Sequence, residues 1–135
     1  MTETIRVLKT DIQPKFADAI YQAKRYFDYA PIIELAKEEA SSATREALKT
    51  LRDSPRIKVQ GFCFVTIDTE EELFVEYCKE RGFGMWDKAN GLMFSNPGRF
   101  VGKNNEIYKA GGEAFSRVLD LVDVKSTVHI RLIPK

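Results

Sequence analysis

The stretch VQGFCFVTID, residues 59–68, constrains this chain more than any other. Its alternation of β-branched and aromatic residues makes it a strand, with Val59, Cys63, Val65 and Ile67 on one face and Phe62 and Phe64 on the other. A strand that is apolar on both faces is either buried on both or offers one face to a ligand. It also requires partner strands, so the fold must contain a sheet.

What surrounds it is largely helical. Phe16, Ile20, Ala23 and Phe27 recur at helical spacing after Pro14, which suits a first helical turn. A second helix is expected over about 31–52, with Ile33, Ala36, Ala40, Ala43, Ala47 and Leu51 as its inner stripe. Alanine permits close approach but buries little area, so the stripe needs a bulky neighbour. The first helix or the same helix of a second subunit would serve. Thr69 with Glu72 forms a capping-box pattern, followed by a buried stripe of Leu73, Phe74, Tyr77 and Cys78 and a stop at Gly82. A hairpin about Asn90-Gly91 would pair residues 83–86 with 91–95. A fourth helix is expected from near Gly112, carrying Phe115, Val118, Leu119 and Val122. Residues 4–10 and 127–133 alternate as further strands.

The order strand, two helices, strand, helix, hairpin, helix, strand is not a strict βα alternation. It predicts an α+β fold: a mixed or antiparallel sheet of roughly three to five strands, with about four helices mainly on one face. One domain over 1–135 is expected, with a strand and helical hairpin in 1–55 and a sheet-forming core in 56–135. Apolar residues at 44% and charged residues at 30% describe a globular balance. No apolar run approaches the ~18 residues of a membrane span, and the start lacks signal-peptide character, so a cytoplasmic location is expected.

The net charge of +1 argues against a global field for polyanions. Locally, residues 68–80 sum to −5 and residues 88–112 to +3. The acidic cluster reads as helix-start electrostatics. The basic segment falls in a glycine-rich loop, 86–112, with Arg99, Lys103, Asn104 and Lys109 as anion ligands and Trp86 and Phe100 as flat aromatic surfaces. Gly111 and Gly112 would expose backbone N–H groups at the expected helix start. It is not a P-loop: Gly98 and Gly102 are too close together, and Asn104 stands where Ser or Thr is required.

Residues 60–67, QGFCFVTI, resemble the ribonucleoprotein octapeptide of RNA-recognition-motif domains through Gly61, Phe62, Phe64 and Val65. The resemblance implies that Phe62 and Phe64 stack on bases. Gln60, Cys63 and Ile67 depart from the pattern, and the resemblance covers only this octapeptide.

Cys63 and Cys78 form no metal-ligand pattern, and the lone His129 has no placed partner, so no metal, cofactor or catalytic constellation is expected. The expected function is non-catalytic binding of a phosphate-bearing ligand, a nucleotide or a single-stranded nucleic acid, at the basic loop. The alternative is a protein–protein interaction module or small inhibitor acting through a helical surface, including self-association through helix 31–52. A small enzyme is the third reading, with Asp87, Glu106 and Glu113 as its available carboxylates.

Overall fold

The structure, a computed structural model, describes residues 14–51, 60–100 and 105–133. The strand expected at 4–10 lies outside them. The described chain runs α1 (Pro14–Tyr26), α2 (Ala30–Leu51), β1 (Gln60–Ile67), α3 (Glu72–Arg81), β2 (Met85–Asp87), β3 (Gly91–Ser95), α4 (Asn105–Asp120) and β4 (Ser126–Ile133). The strands form one sheet in the order β2-β3-β1-β4, and every neighbouring pair is antiparallel. This is the α+β fold that the element order predicts. From β1 onward the connectivity is that of a split βαβ arrangement, with α1 and α2 added ahead of it.

The quoted strand is central, pairing with β4 from Gln60↔Ile133 to Ile67↔Ser126 without interruption. Val65 pairs with Phe94 on one side and Val128 on the other, so these residues share a face. Helix α4 lies on that face, and a Cβ at Gly112 would stand 2.5 Å from Cys63 Sγ and 2.9 Å from Val128 Cγ1. Phe64 faces the other way, yet it is only 5% exposed. Its ring lies flat against His129 at 4.7 Å between centroids, and His129 Nε2 is 2.9 Å from Thr66 Oγ1. At Phe64 both faces of the strand are therefore buried.

Helix α4 starts at Asn105, not near Gly112. Gly111 and Gly112 are buried in its middle, so their N–H groups belong to the helix interior and are not a free N-terminus. Interior glycines cost about 1 kcal/mol each in helix propensity relative to alanine. Here they permit close approach on two sides, Gly112 to the sheet and Gly111 to α2. A Cβ at Gly111 would be 2.7 Å from Thr44 Oγ1 and 3.0 Å from Gly98 Cα.

The alanine stripe of α2 finds its bulky neighbour in α4, its most extensive helical contact. Ala36 and Ala40 are fully buried in one core with Phe115 and Leu119. Helix α1 packs on α2 as well, but it ends before Phe27. Phe27 takes a left-handed φ of 56° and points into solvent. Its N–H donates to the Ala23 carbonyl at 3.1 Å, the αL type of helix ending, and the Asp28 N–H reaches back to the Gln22 carbonyl at 3.1 Å.

Helix α3 begins at Glu72 without the expected capping box. Asp68 Oδ1 instead accepts the Glu70 N–H at 2.9 Å, and Glu71 Oε2 accepts the Lys125 N–H at 3.0 Å. Phe74, Tyr77 and Cys78 are buried as expected, whereas Leu73 is exposed. Gly82 ends the helix at φ 75°. Gly91, at φ 75°, closes the β2–β3 turn after Asn90. Among the described residues no helix is long and apolar enough to cross a membrane.

Candidate anion-binding groove

Residues 96–100 leave the end of β3 and fold into a tight, hydrogen-bonded loop. The Asn96 N–H donates to the Cys63 carbonyl at 2.7 Å, tying the loop to β1. The Asn96 side chain then bonds both ends of Phe100: Nδ2 donates to the carbonyl at 2.9 Å, and Oδ1 accepts the N–H at 3.3 Å. The Arg99 N–H donates to the Asn96 carbonyl at 2.9 Å. Asparagine tolerates the left-handed region that Asn96 occupies at φ 44°; Arg99, at φ 58°, has no such excuse. The loop holds Arg99 in a conformation that a free chain avoids.

Gly98 seats the loop on the helices. A Cβ there would collide with Thr44 Oγ1 and stand 3.2 Å from both the Ala40 carbonyl oxygen and Gly111 Cα. Arg99, the next residue, therefore emerges against α2 near Ser41 and Arg45. A groove of ≈ 850 Å³ opens between α2 and the wall formed by β2, β3 and this loop. Lys37, Ser41 and Arg45 line it from α2, and Asn96 and Arg99 from the loop. Lys37 Nζ is 3.7 Å from Glu34 Oε2. Among the described residues neither Arg45 nor Arg99 takes part in an ion pair.

Of the residues expected to bind a ligand, Arg99 alone of the described ones lines this groove. Lys103 and Asn104 lie outside the described residues, and so does the side chain of Phe62. Lys109 is exposed on α4, outside the groove lining. Gly111 and Gly112 are helix-packing residues. Phe100 is only 9% exposed and meets Tyr108 edge-on at 4.9 Å, so its ring serves the core and not a flat ligand. Trp86 is 58% exposed on β2, but Lys79 Nζ sits 4.5 Å over its ring, and its neighbour Met85 faces the groove instead. Phe64 has one ring face covered by His129.

The residues that sequence reasoning passed over are Lys37, Ser41 and Arg45. Their spacing of four places them on one face of α2. That polar face was visible, but nothing local says that a loop some fifty residues later packs beside it.

The thiols are chemically quiet. Burial, reinforced by the charge of Glu113, pushes Cys63 up to about 11, and burial pushes Cys78 up to about 12. Neither is a thiolate at neutral pH. Among the described residues no group of three or more metal-ligating side chains comes together. Compared with models of known protein families, with curated proteins and with solved structures, the chain matches none.

Proposed function

We propose that this protein binds a phosphate-bearing ligand in the groove between α2 and the 96–100 loop, with Arg99 and Arg45 as its anchors. The observation that supports this reading is the pair itself: two arginines from distant segments line one groove with no carboxylate partner among the described residues. A guanidinium presents a planar fork that matches phosphate oxygens bidentately. Arg99 is also held at positive φ, a strain of about 1–3 kcal/mol that persists only where the surroundings over-determine it. Ser41 and Asn96 add neutral hydrogen-bonding groups.

A thermal-shift screen against phosphorylated small molecules tests this. A ligand at ~100 times its dissociation constant stabilises the native state by about 2.7 kcal/mol, a readily measured rise in melting temperature. The rise should vanish in the Arg45→Ala/Arg99→Ala double variant. A screen without hits, or a hit indifferent to both arginines, refutes the proposal.

A second reading, a protein contact surface, draws on a different feature. Tyr21, Tyr26 and Phe27 are 52%, 59% and 53% exposed at the end of α1, with Tyr21 and Tyr26 edge-to-face at 5.8 Å. Exposed aromatics of this kind anchor interfaces. A Tyr21→Ser/Tyr26→Ser/Phe27→Ser variant that leaves hydrodynamic size and every partner interaction unchanged would remove this reading.

A further inference from the structure

The groove has two chemically opposite ends. At about 1.5 Å per residue, the stretch of α2 from Glu34 to Arg45 spans roughly 16 Å. Lys37 Nζ lies 5.6 Å from the centre of the Phe83 ring, which sets Gly84 and Met85 opposite the Glu34 end. Gly98 lies against Ala40 and Thr44, which sets Arg99 at the Arg45 end. The two guanidinium groups, unpaired among the described residues, therefore gather at one end. Glu34 and Glu38, with Lys37 drawn to Glu34, occupy the other. Among the described lining residues, the cations Lys37, Arg45 and Arg99 are matched by Glu34, Glu38 and Glu39, which leaves these residues with no net charge.

We infer that this groove takes a small phosphomonoester with one anionic end and hydrogen-bond donors at the other, a nucleoside monophosphate being the type, and that it excludes a nucleic acid strand. The inference rests on the anion-binding reading above and chooses between its two ligand classes. Grooves that track a strand are basic along their length, because every nucleotide brings a charge. A strand laid along this groove would set phosphates against Glu34 and Glu38. A monoester sets its phosphate against Arg45 and Arg99 alone, and turns its amino or hydroxyl donors toward the carboxylates. The ≈ 850 Å³ volume lies within the range of small-molecule clefts, about 300–1,000 Å³.

Isothermal titration of the full chain with the four nucleoside 5′-monophosphates and with single-stranded octanucleotides, at one ionic strength, provides the test. At least one monophosphate should bind about tenfold or more tighter than any octanucleotide. Arg45→Ala with Arg99→Ala should weaken that monophosphate by about tenfold or more. Glu34→Gln with Glu38→Gln should weaken it by about threefold or more, and should strengthen octanucleotide binding. These side chains are exposed, so unchanged circular dichroism and ligand-free melting temperature will show that both double variants fold.

The outcomes separate the two claims. An octanucleotide that binds as tightly as the best monophosphate, or a glutamine pair that alters neither affinity, overturns this inference and leaves the anion site standing. If neither probe class binds, this inference falls and the wider screen of phosphorylated small molecules decides the anion site; if a probe binds and the alanine pair changes nothing, both readings fall.

Discussion

Gly98→Ala is expected to destabilise the protein by about 2 kcal/mol, because the crossing of the 96–100 loop, α2 and α4 has no room for a methyl group. The backbone itself would accept alanine, since Gly98 is not among the positive-φ glycines. The cost is therefore steric. The added Cβ would collide with Thr44 Oγ1 and press on the Ala40 carbonyl oxygen and Gly111 Cα, each at 3.2 Å. Thr44 cannot swing aside: it is buried, β-branched, and its hydroxyl donates to the Ala40 carbonyl at 2.9 Å. Overpacking of this kind costs about 1–3 kcal/mol, offset by a few tenths to ~1 kcal/mol from restricting the unfolded chain.

Thr44→Ala removes the hydroxyl and leaves the two tight 3.2 Å contacts. In that background Gly98→Ala should cost under about 1 kcal/mol, a coupling of roughly 1–1.5 kcal/mol against an additivity error of about 0.3–0.5. Urea denaturation of the wild type, both single variants and the double variant measures this, provided the m-value is constant. Additive single effects, or a neutral Gly98→Ala, would refute the packing argument. The seat that it assigns to Arg99 would then go with it.

Tyr77→Phe should cost about 1.5–3 kcal/mol in urea. It deletes the 2.6 Å hydrogen bond from Tyr77 Oη to Asp28 Oδ1 and the 3.1 Å acceptor of the Ala30 N–H, which keeps only the longer 3.4 Å contact to Asp28 Oδ1. Phe27→Gly should instead stabilise by roughly 1 kcal/mol, because glycine occupies the left-handed position at a helix end without strain; a lower melting temperature would contradict this. Stability should fall as the solution becomes alkaline. Cys63 and Cys78 rise in the fold from 9.0 to about 11 and about 12, so their contribution is complete below about pH 9 and is lost as pH climbs through the folded values. Burial, aided by the Asp28 hydrogen bond, also raises Tyr77 above 10.0, in the same direction. A melting temperature that stays level from pH 8 to 11 would show that these groups titrate normally in the fold.

Sequence signals are most faithful where the chemistry is local. Asn90-Gly91 announces its turn because Gly91 needs φ 75°, and Gly82 ends α3 for the same reason. The 60–67 strand was legible from alternation alone, and so was its burial on the Cys63, Val65 and Ile67 side. Thr69 and Glu72 misled because Asp68 closes a turn first: its carbonyl accepts the Glu71 N–H at 3.0 Å and its side chain the Glu70 N–H at 2.9 Å, so the helix begins at Glu72 and Thr69 is not its cap. Gly111-Gly112 misled more seriously. Glycine pairs usually mark helix ends, and only the packed structure shows what these two glycines make room for on either side of α4.

The candidate site followed the same division. Arg99 could be named from the charge and glycines of its loop, yet Arg45, Lys37 and Ser41 could not be joined to it, since they lie on a helix separated from it by three strands and another helix.

By itself, then, the sequence determined the α+β class, the order of the described elements and much of the inner stripes, though not Phe27 or Leu73, because periodicity and turn chemistry depend on near neighbours in the chain. Only the tertiary structure decided that α4 rather than α1 fills the alanine face of α2, that Phe64 is covered by His129, and that Arg45 and Arg99 share one groove. Each of these is a contact between segments distant in sequence, set by shape complementarity that no local pattern encodes.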